Sequence, residues 1–159
     1  MNEFLRYVTK DDIDLLYEWA NDKETRKNSF SMNKISYQQH KKWFSEMLLN
    51  DSCFQYIYMA GDIPVGQIRL LIQEDTAEVS YSVDSAWRGK GYGKRMLHSL
   101  LQQIKNENLK LRTLTAKVKP SNEASKKVFT ASGFCRKYEF YEIAFDQFED
   151  ISAIFREGK

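Results

Sequence analysis

Val83-Asp84-Ser85-Ala86-Trp87-Arg88-Gly89-Lys90-Gly91-Tyr92-Gly93 is the stretch on which the fold turns. It separates two periodicities. Before it, Glu78 to Val83 alternates as a strand does; after it, Met96, Leu97, Leu100, Leu101 and Ile104 recur at helical spacing. A glycine-rich turn that feeds a helix gathers unpaired backbone N–H groups and the positive end of the helix dipole, so it suits an anion. Arg88, Lys90, Lys94 and Arg95 add local positive charge, which favours a pyrophosphate over a neutral ligand. The spacing here is G-x-G-x-G, not the G-x-G-x-x-G of a dinucleotide turn, and Lys94 is followed by Arg95 where a P-loop needs Ser or Thr for magnesium. Glycines serving a tight turn and nothing more are the alternative reading.

Working outward, Phe54 to Ala60 and Val65 to Gln73 are β-rich runs joined by Gly61-Asp62-Ile63-Pro64, which predicts an antiparallel hairpin. Leu5 to Val8 reads as a first strand. Thr9 and Asp12 have capping-box spacing before a helix that carries Ile13, Leu15, Leu16 and Trp19 and ends near Asn21-Asp22. Lys23 to Lys34 reads as a polar loop, and Ser36 as the N-cap of a helix with His40, Trp43, Phe44 and Met47 at helical spacing. Downstream, Leu111 to Val118 predicts a strand, Asn122 to Ala131 a helix closed by Gly133, and Phe134 to Phe155 further strands. The expectation is a mixed α/β domain occupying the whole chain, residues 1–159.

Composition narrows the partner. A net charge of +2 with 29% charged residues gives no global field for nucleic acid or an anionic membrane, so a small molecule is expected. The two cysteines, Cys53 and Cys135, lack metal-ligand spacing and suggest neither a disulfide framework nor a metal site. Glu3 and Arg6 interrupt any signal-peptide core and no stretch reaches membrane-spanning length; a cytoplasmic protein, monomer or homodimer, is expected.

Arg88 to Gly93 resembles the acetyl-CoA signature of the GNAT superfamily of N-acetyltransferases: Gln or Arg, two residues, Gly, one residue, Gly or Ala. Val118 to Phe134 is similar to that family's second motif, in which Asn122 opens a helix beside the cofactor and Gly133-Phe134 end it. The resemblance implies a twisted, mostly antiparallel sheet splayed open at the strand before the turn, with helices on both faces and acetyl-CoA in the splay. It implies that backbone near Val83 holds the pantetheine arm and that Arg88, Gly89, Lys90, Gly91, Tyr92, Gly93 and Lys94 surround the pyrophosphate, with Asn122, Lys127 and Phe129 also on the cofactor side. Acetyl-CoA is then the cofactor, and no metal is required.

Direct acyl transfer to an amine needs a base, polarisation of the carbonyl and a proton for the departing thiolate. Glu78, on the strand leading to the turn, resembles in position the glutamate base of the histone acetyltransferase branch; a solvent-facing carboxylate is its other reading. His40 is a second base candidate and otherwise a helix-surface histidine. The family's second motif offers a tyrosine hydroxyl where this chain has Phe129, so the proton would come from Tyr81, Tyr138, Tyr141 or water.

The segments Leu16 to Phe30 and Ile35 to Phe44 resemble the N-terminal part of GNAT enzymes that acetylate nucleotide-linked amino sugars on the route to pseudaminic acid and related glycans. Arg26, Asn28 and Phe30 are then acceptor-binding candidates, able to hold phosphate and stack on a base or sugar, while Trp19, Trp43 and Phe44, at helical spacing, read as core in preference to ligand contacts. Acetylation of ribosomal-protein N-termini and a non-catalytic acyl-CoA sensor are the other readings the same motifs allow.

Overall fold

The computed structural model describes residues 1–142. Strands β1 (Glu3–Tyr7), β2 (Cys53–Ala60), β3 (Ile63–Gln73), β4 (Thr76–Val83) and β5 (Thr113–Thr115) form one sheet in sequence order. β1 to β4 are antiparallel neighbours and β5 joins β4 in parallel. Helices α1 (Ile13–Asn21), α2 (Lys23–Asn28) and α3 (Tyr37–Leu48) precede β2, α4 (Tyr92–Asn106) joins β4 to β5, and α5 (Glu123–Ala131) follows β5. The mixed α/β architecture and the mostly antiparallel sheet are as expected.

Strand alternation explains why helices lie on both faces. Tyr56, Tyr58, Ile68, Leu70, Ala77 and Val79 pack with Met96, Leu97 and Leu100 of α4 and Phe129 of α5. On the other face Ile57 and Met59 pack with Leu16 and Trp19 of α1 and with Phe44 and Met47 of α3. Each caps its helix as the sequence suggests: Thr9 and Asp12 close a capping box ahead of α1, and Ser36 and Gln39 do so for α3.

Three expectations are corrected. Lys23 to Lys34 is not all loop, because the Asp22 carboxylate accepts the Thr25 N–H at 3.0 Å and caps the short helix α2. The strand expected over Leu111 to Val118 pairs only from Thr113 to Thr115, and past Thr115 the chain leaves β4 without pairing. Residues 134–142 form no strand, and the rest of the alternating stretch expected there lies outside the described residues.

Parting of β4 and β5 makes the splay. The last paired positions are Glu78 and Thr115, so β4 runs on from Val79 to Val83 with its β5-side edge open. Asp84 N–H donates to Val65 on β3 at 2.9 Å, and backbone groups alternate sides along a strand, so those of Tyr81 and Val83 face the open edge.

Candidate functional site

The turn after β4 is built for an anion by its backbone. Gly89 and Gly91 adopt φ of +75° and +79°, left-handed values that a side chain would strain. Gly91 is the N-cap of α4 and supplies no side-chain cap, in contrast to Asp22 of α2, Ser36 of α3 and Asn122 of α5. The first N–H groups of α4 therefore remain available to a ligand. Gly93 has a packing role instead: a Cβ there would stand 3.1 Å from the Tyr81 ring.

The basic side chains of the turn are less free than the sequence suggests. Arg88 pairs with the Asp22 carboxylate and donates through Nε to the Val83 carbonyl at 3.1 Å. Arg95 bonds Glu3 at 2.8 Å and the Lys90 carbonyl at 2.9 Å, and Lys90 folds over Trp87 to reach the Ala86 carbonyl at 3.2 Å. Glu3 is held below the ordinary carboxylate range chiefly by its bond from Arg95. Two guanidinium charges are thus matched by carboxylates, while Lys94 is exposed at the helix start.

Across the splay, α5 faces Tyr81. The Tyr81 hydroxyl lies 3.1 Å from Ser125 Oγ, and Asn122 Nδ2 donates to that same oxygen at 3.1 Å while its Oδ1 caps α5 by accepting the Ser125 N–H. Burial raises the Tyr81 pKa above the ordinary phenol value, outweighing the Ser125 bond, so its proton is retained at neutral pH. Phe129 is buried edge-on against Tyr81 and Phe134. Lys127 is exposed, as are Tyr138 and Tyr141.

Glu78 stands where the splay begins. It is partly exposed, 3.1 Å from Lys117 Nζ, and lines a cleft of about 360 Å³ in which Asn50, Ser52, Gln73, Thr76 and Thr115 are joined by apolar Leu71, Ile72 and Ala77. The structure therefore places it on a cleft face. His40 is placed elsewhere: it is 2% exposed, packed against Tyr17, Trp43 and Phe44, with Nε2 2.8 Å from the Ile13 carbonyl. Both the surface-histidine reading and the base reading give way to a core histidine, because a base must reach its substrate.

Arg26 is likewise occupied. Its guanidinium donates to the carbonyls of Ala20, Ser31 and Asn33 and to Ser29 Oγ, stapling the segment after α2, so it is not free to grip phosphate. Asn28 is half-buried at the end of α2 and Phe30 is 68% exposed on the following segment. Trp19 is core, and its indole N–H donates to Asp84 at 2.7 Å.

Sequence reasoning passed over Asp22, which ties α2 to the turn, and Ser125, which meets Tyr81. The Asp-x-x-Thr spacing of Asp22 and Thr25 was the available signal for the first. Nothing in the sequence marks the second, since its contact spans 44 positions along the chain.

The acetyltransferase (GNAT) domain profile matches residues 4–135. The uncharacterized N-acetyltransferase YfmK of Bacillus subtilis (strain 168) is 24% identical over 125 residues, covering 77% of this chain and 78% of its own. Among solved structures, aminoglycoside acetyltransferase AAC(6')-Ib with coenzyme A superposes with a TM-score of 0.74 at 19% identity over 86% of each chain. Spermidine N-acetyltransferase from Vibrio cholerae with CoA and spermine does so with a TM-score of 0.78 at 16% identity, over 87% of this chain and 86% of that one. No helix among the described residues is long and apolar enough to cross a membrane.

Proposed function

Since the chain belongs to the GNAT acetyltransferase family and is an acetyl-CoA-dependent N-acetyltransferase, we propose that its acceptor is the amino group of a nucleotide-linked amino sugar and that Glu78 is the base. The observation that carries this reading is the cleft at Glu78: the hydroxyl and amide groups of Asn50, Ser52, Gln73, Thr76 and Thr115 share its lining with apolar Leu71, Ile72 and Ala77, a mixed polar and apolar wall that suits the hydroxyls and ring faces of a sugar. The related folds that hold coenzyme A with spermine or bind aminoglycosides also take small polar amines.

In the proposed reaction the open edge of β4 at Tyr81 and Val83 pairs with the pantetheine arm, and the N–H groups at the start of α4 take the pyrophosphate. The acceptor attacks as the free amine, and Glu78 accepts the proton that nitrogen loses as it bonds and then releases it to solvent. Nitrogen bonds to the thioester carbon, the C–S bond breaks, and the thiolate takes a proton from Tyr81 O–H. Ser125 then solvates the phenolate until solvent returns the proton. Phe129 removes the family's usual donor, and Tyr81 presents a protonated hydroxyl beside that position.

The test is thiol release from acetyl-CoA across UDP-linked 4-amino sugars, ribosomal-protein N-terminal peptides, polyamines and aminoglycosides, repeated with Glu78→Gln. Turnover on an amino sugar that falls roughly 10²- to 10⁴-fold in the variant, with CoA affinity kept, supports both assignments. Turnover confined to peptides or polyamines rejects the acceptor, and an unchanged pH profile in the variant rejects the base.

A further inference from the structure

The face of the sheet beneath α3 carries a polar strip that the cofactor does not account for. On β3, Gln67 and Arg69 alternate with Ile68 and Leu70, which are buried on the α4 face. Their neighbours in register are Gln55 on β2 and Ser80 and Ser82 on β4, and the strip ends at Glu78, two residues from Ser80.

Two groups in this strip have capacity left over. Gln55 is 5% exposed; its Nε2 donates to Gln67, whose own amide donates to Ser82 Oγ at 3.0 Å, yet Gln55 Oε1 is buried with no partner. A buried acceptor without a donor is uncommon in folded proteins. Arg69, directly opposite Gln55, is half-buried with its guanidinium 5.8 Å from the Trp43 ring centre, and among the described residues it pairs with no carboxylate. An unfilled acceptor beside unfilled, charged, planar donors defines a site for a ligand that has both an anionic oxygen and a hydroxyl.

We propose that Arg69 and Gln55 form the acceptor's phosphate and hydroxyl subsite, with Trp43 walling the guanidinium. The proposal rests on the amino-sugar reading and deepens it. Arg69 and Glu78 are diagonal neighbours across β3 and β4, a Cβ spacing of about 7–8 Å or slightly less. Both side chains leave the same face of the sheet, so one sugar-sized ligand can reach them together, its phosphate toward Arg69 and its amine toward the carboxylate. An amine lacking an anionic group loses this anchor, and selectivity follows.

The experiment titrates UDP into CoA-saturated protein, so that the cofactor's own pyrophosphate site is filled, using wild type, Arg69→Gln and Arg69→Lys. Wild type binds UDP, Arg69→Gln weakens it at least tenfold, and Arg69→Lys falls between, with CoA affinity the same in all three as the measure of folding. UDP binding that is absent in wild type, or equal in Arg69→Gln, overturns the subsite. Kinetics separate the two ideas: turnover of a UDP-amino sugar that ignores Arg69→Gln sinks the subsite and leaves the acceptor reading standing. Arg69-dependent UDP binding without turnover of any UDP-amino sugar does the reverse and supports the anion site for a different phosphorylated amine.

Discussion

Arg88 of the glycine turn donates its guanidinium to the carboxylate of Asp22, which at the same time caps α2. A second bond, from the Trp19 indole to Asp84, runs parallel to it, and at the far end of α2 Lys119 reaches the Lys27 carbonyl at 3.0 Å. Helix α2 is therefore tied at its start to the turn after β4 and at its end to the connection after β5, the two lips of the splay.

Asp22→Asn isolates the charge in this arrangement, since Asn caps helices as well as Asp does. Loss of the partly exposed ion pair costs about 0.5–1 kcal/mol, and Asp22→Ala about 1 kcal/mol more through the lost cap. Thermal melts should order wild type, Asn and Ala with steps of roughly 2–4 °C per kcal/mol. CoA affinity should stay within about threefold in Asp22→Asn if, as proposed, backbone N–H groups rather than Arg88 hold the pyrophosphate. A tenfold loss would mean that the pose of Arg88 matters to the cofactor directly.

Gly91→Val tests the backbone cradle. At φ +79° a β-branched residue is strained by roughly 1–2 kcal/mol, while the Cβ itself meets only the flexible Arg95 guanidinium at 2.9 Å. The turn must reopen or distort, and calorimetric titration should find CoA binding abolished in a protein that still melts cooperatively. Gly66→Ala instead drives a Cβ to 2.7 Å from the Ser82 carbonyl and 3.3 Å from Val83 Cα, where neither backbone can yield cheaply. It should cost about 1–3 kcal/mol and shift the end of β4.

The turn, the hairpin and the helix caps were legible because each is a local pattern: glycines between two periodicities, alternation, Ser36 or Thr9 three residues ahead of its partner. What stayed hidden depends on facing. Alternation along Ala77 to Val83 cannot say which face is the cleft, so Glu78 kept a solvent-facing reading until the structure set it on a cleft, on the face opposite Tyr81. Helical spacing could not tell that His40 points into α1 and not outward. Arg26 looked like a ligand-binding arginine because its four partners are backbone and hydroxyl oxygens with no sequence signature.

Acid stability should depend on Asp12. Its carboxylate takes both Nη atoms of Arg6 at 2.8 Å and the Thr9 N–H at 2.8 Å, and the Arg6 bonds are the main reason its pKa lies below the ordinary value, against the opposing effect of burial. A depressed folded-state pKa contributes stability that is complete above the unfolded value, about 3.9, and is lost as pH falls through the folded value. Asp12→Asn should therefore cost about 2 kcal/mol at neutral pH, and urea melts should show the gap to wild type closing below about pH 4. A gap that does not narrow as pH falls below about 4 would assign the loss to packing rather than to charge.

Tyr81→Phe separates the proposed proton donor from its structural role. The ring fills the space between Gly93 of α4 and Phe129 of α5 and is kept in the variant, so only the hydroxyl and its bond to Ser125 are lost. Stability should fall by about 1 kcal/mol. If the hydroxyl protonates the departing thiolate, kcat drops roughly 10²-fold with the KM for acetyl-CoA unchanged. The high-pH limb of kcat, set in wild type by ionisation of a phenol whose pKa burial has raised, should also disappear. Ser125→Ala keeps the phenol and removes only its partner, so it should lower kcat far less. Equal losses in the two variants would point to positioning of α5 by the Tyr81–Ser125 bond, and the thiolate would then take its proton from water.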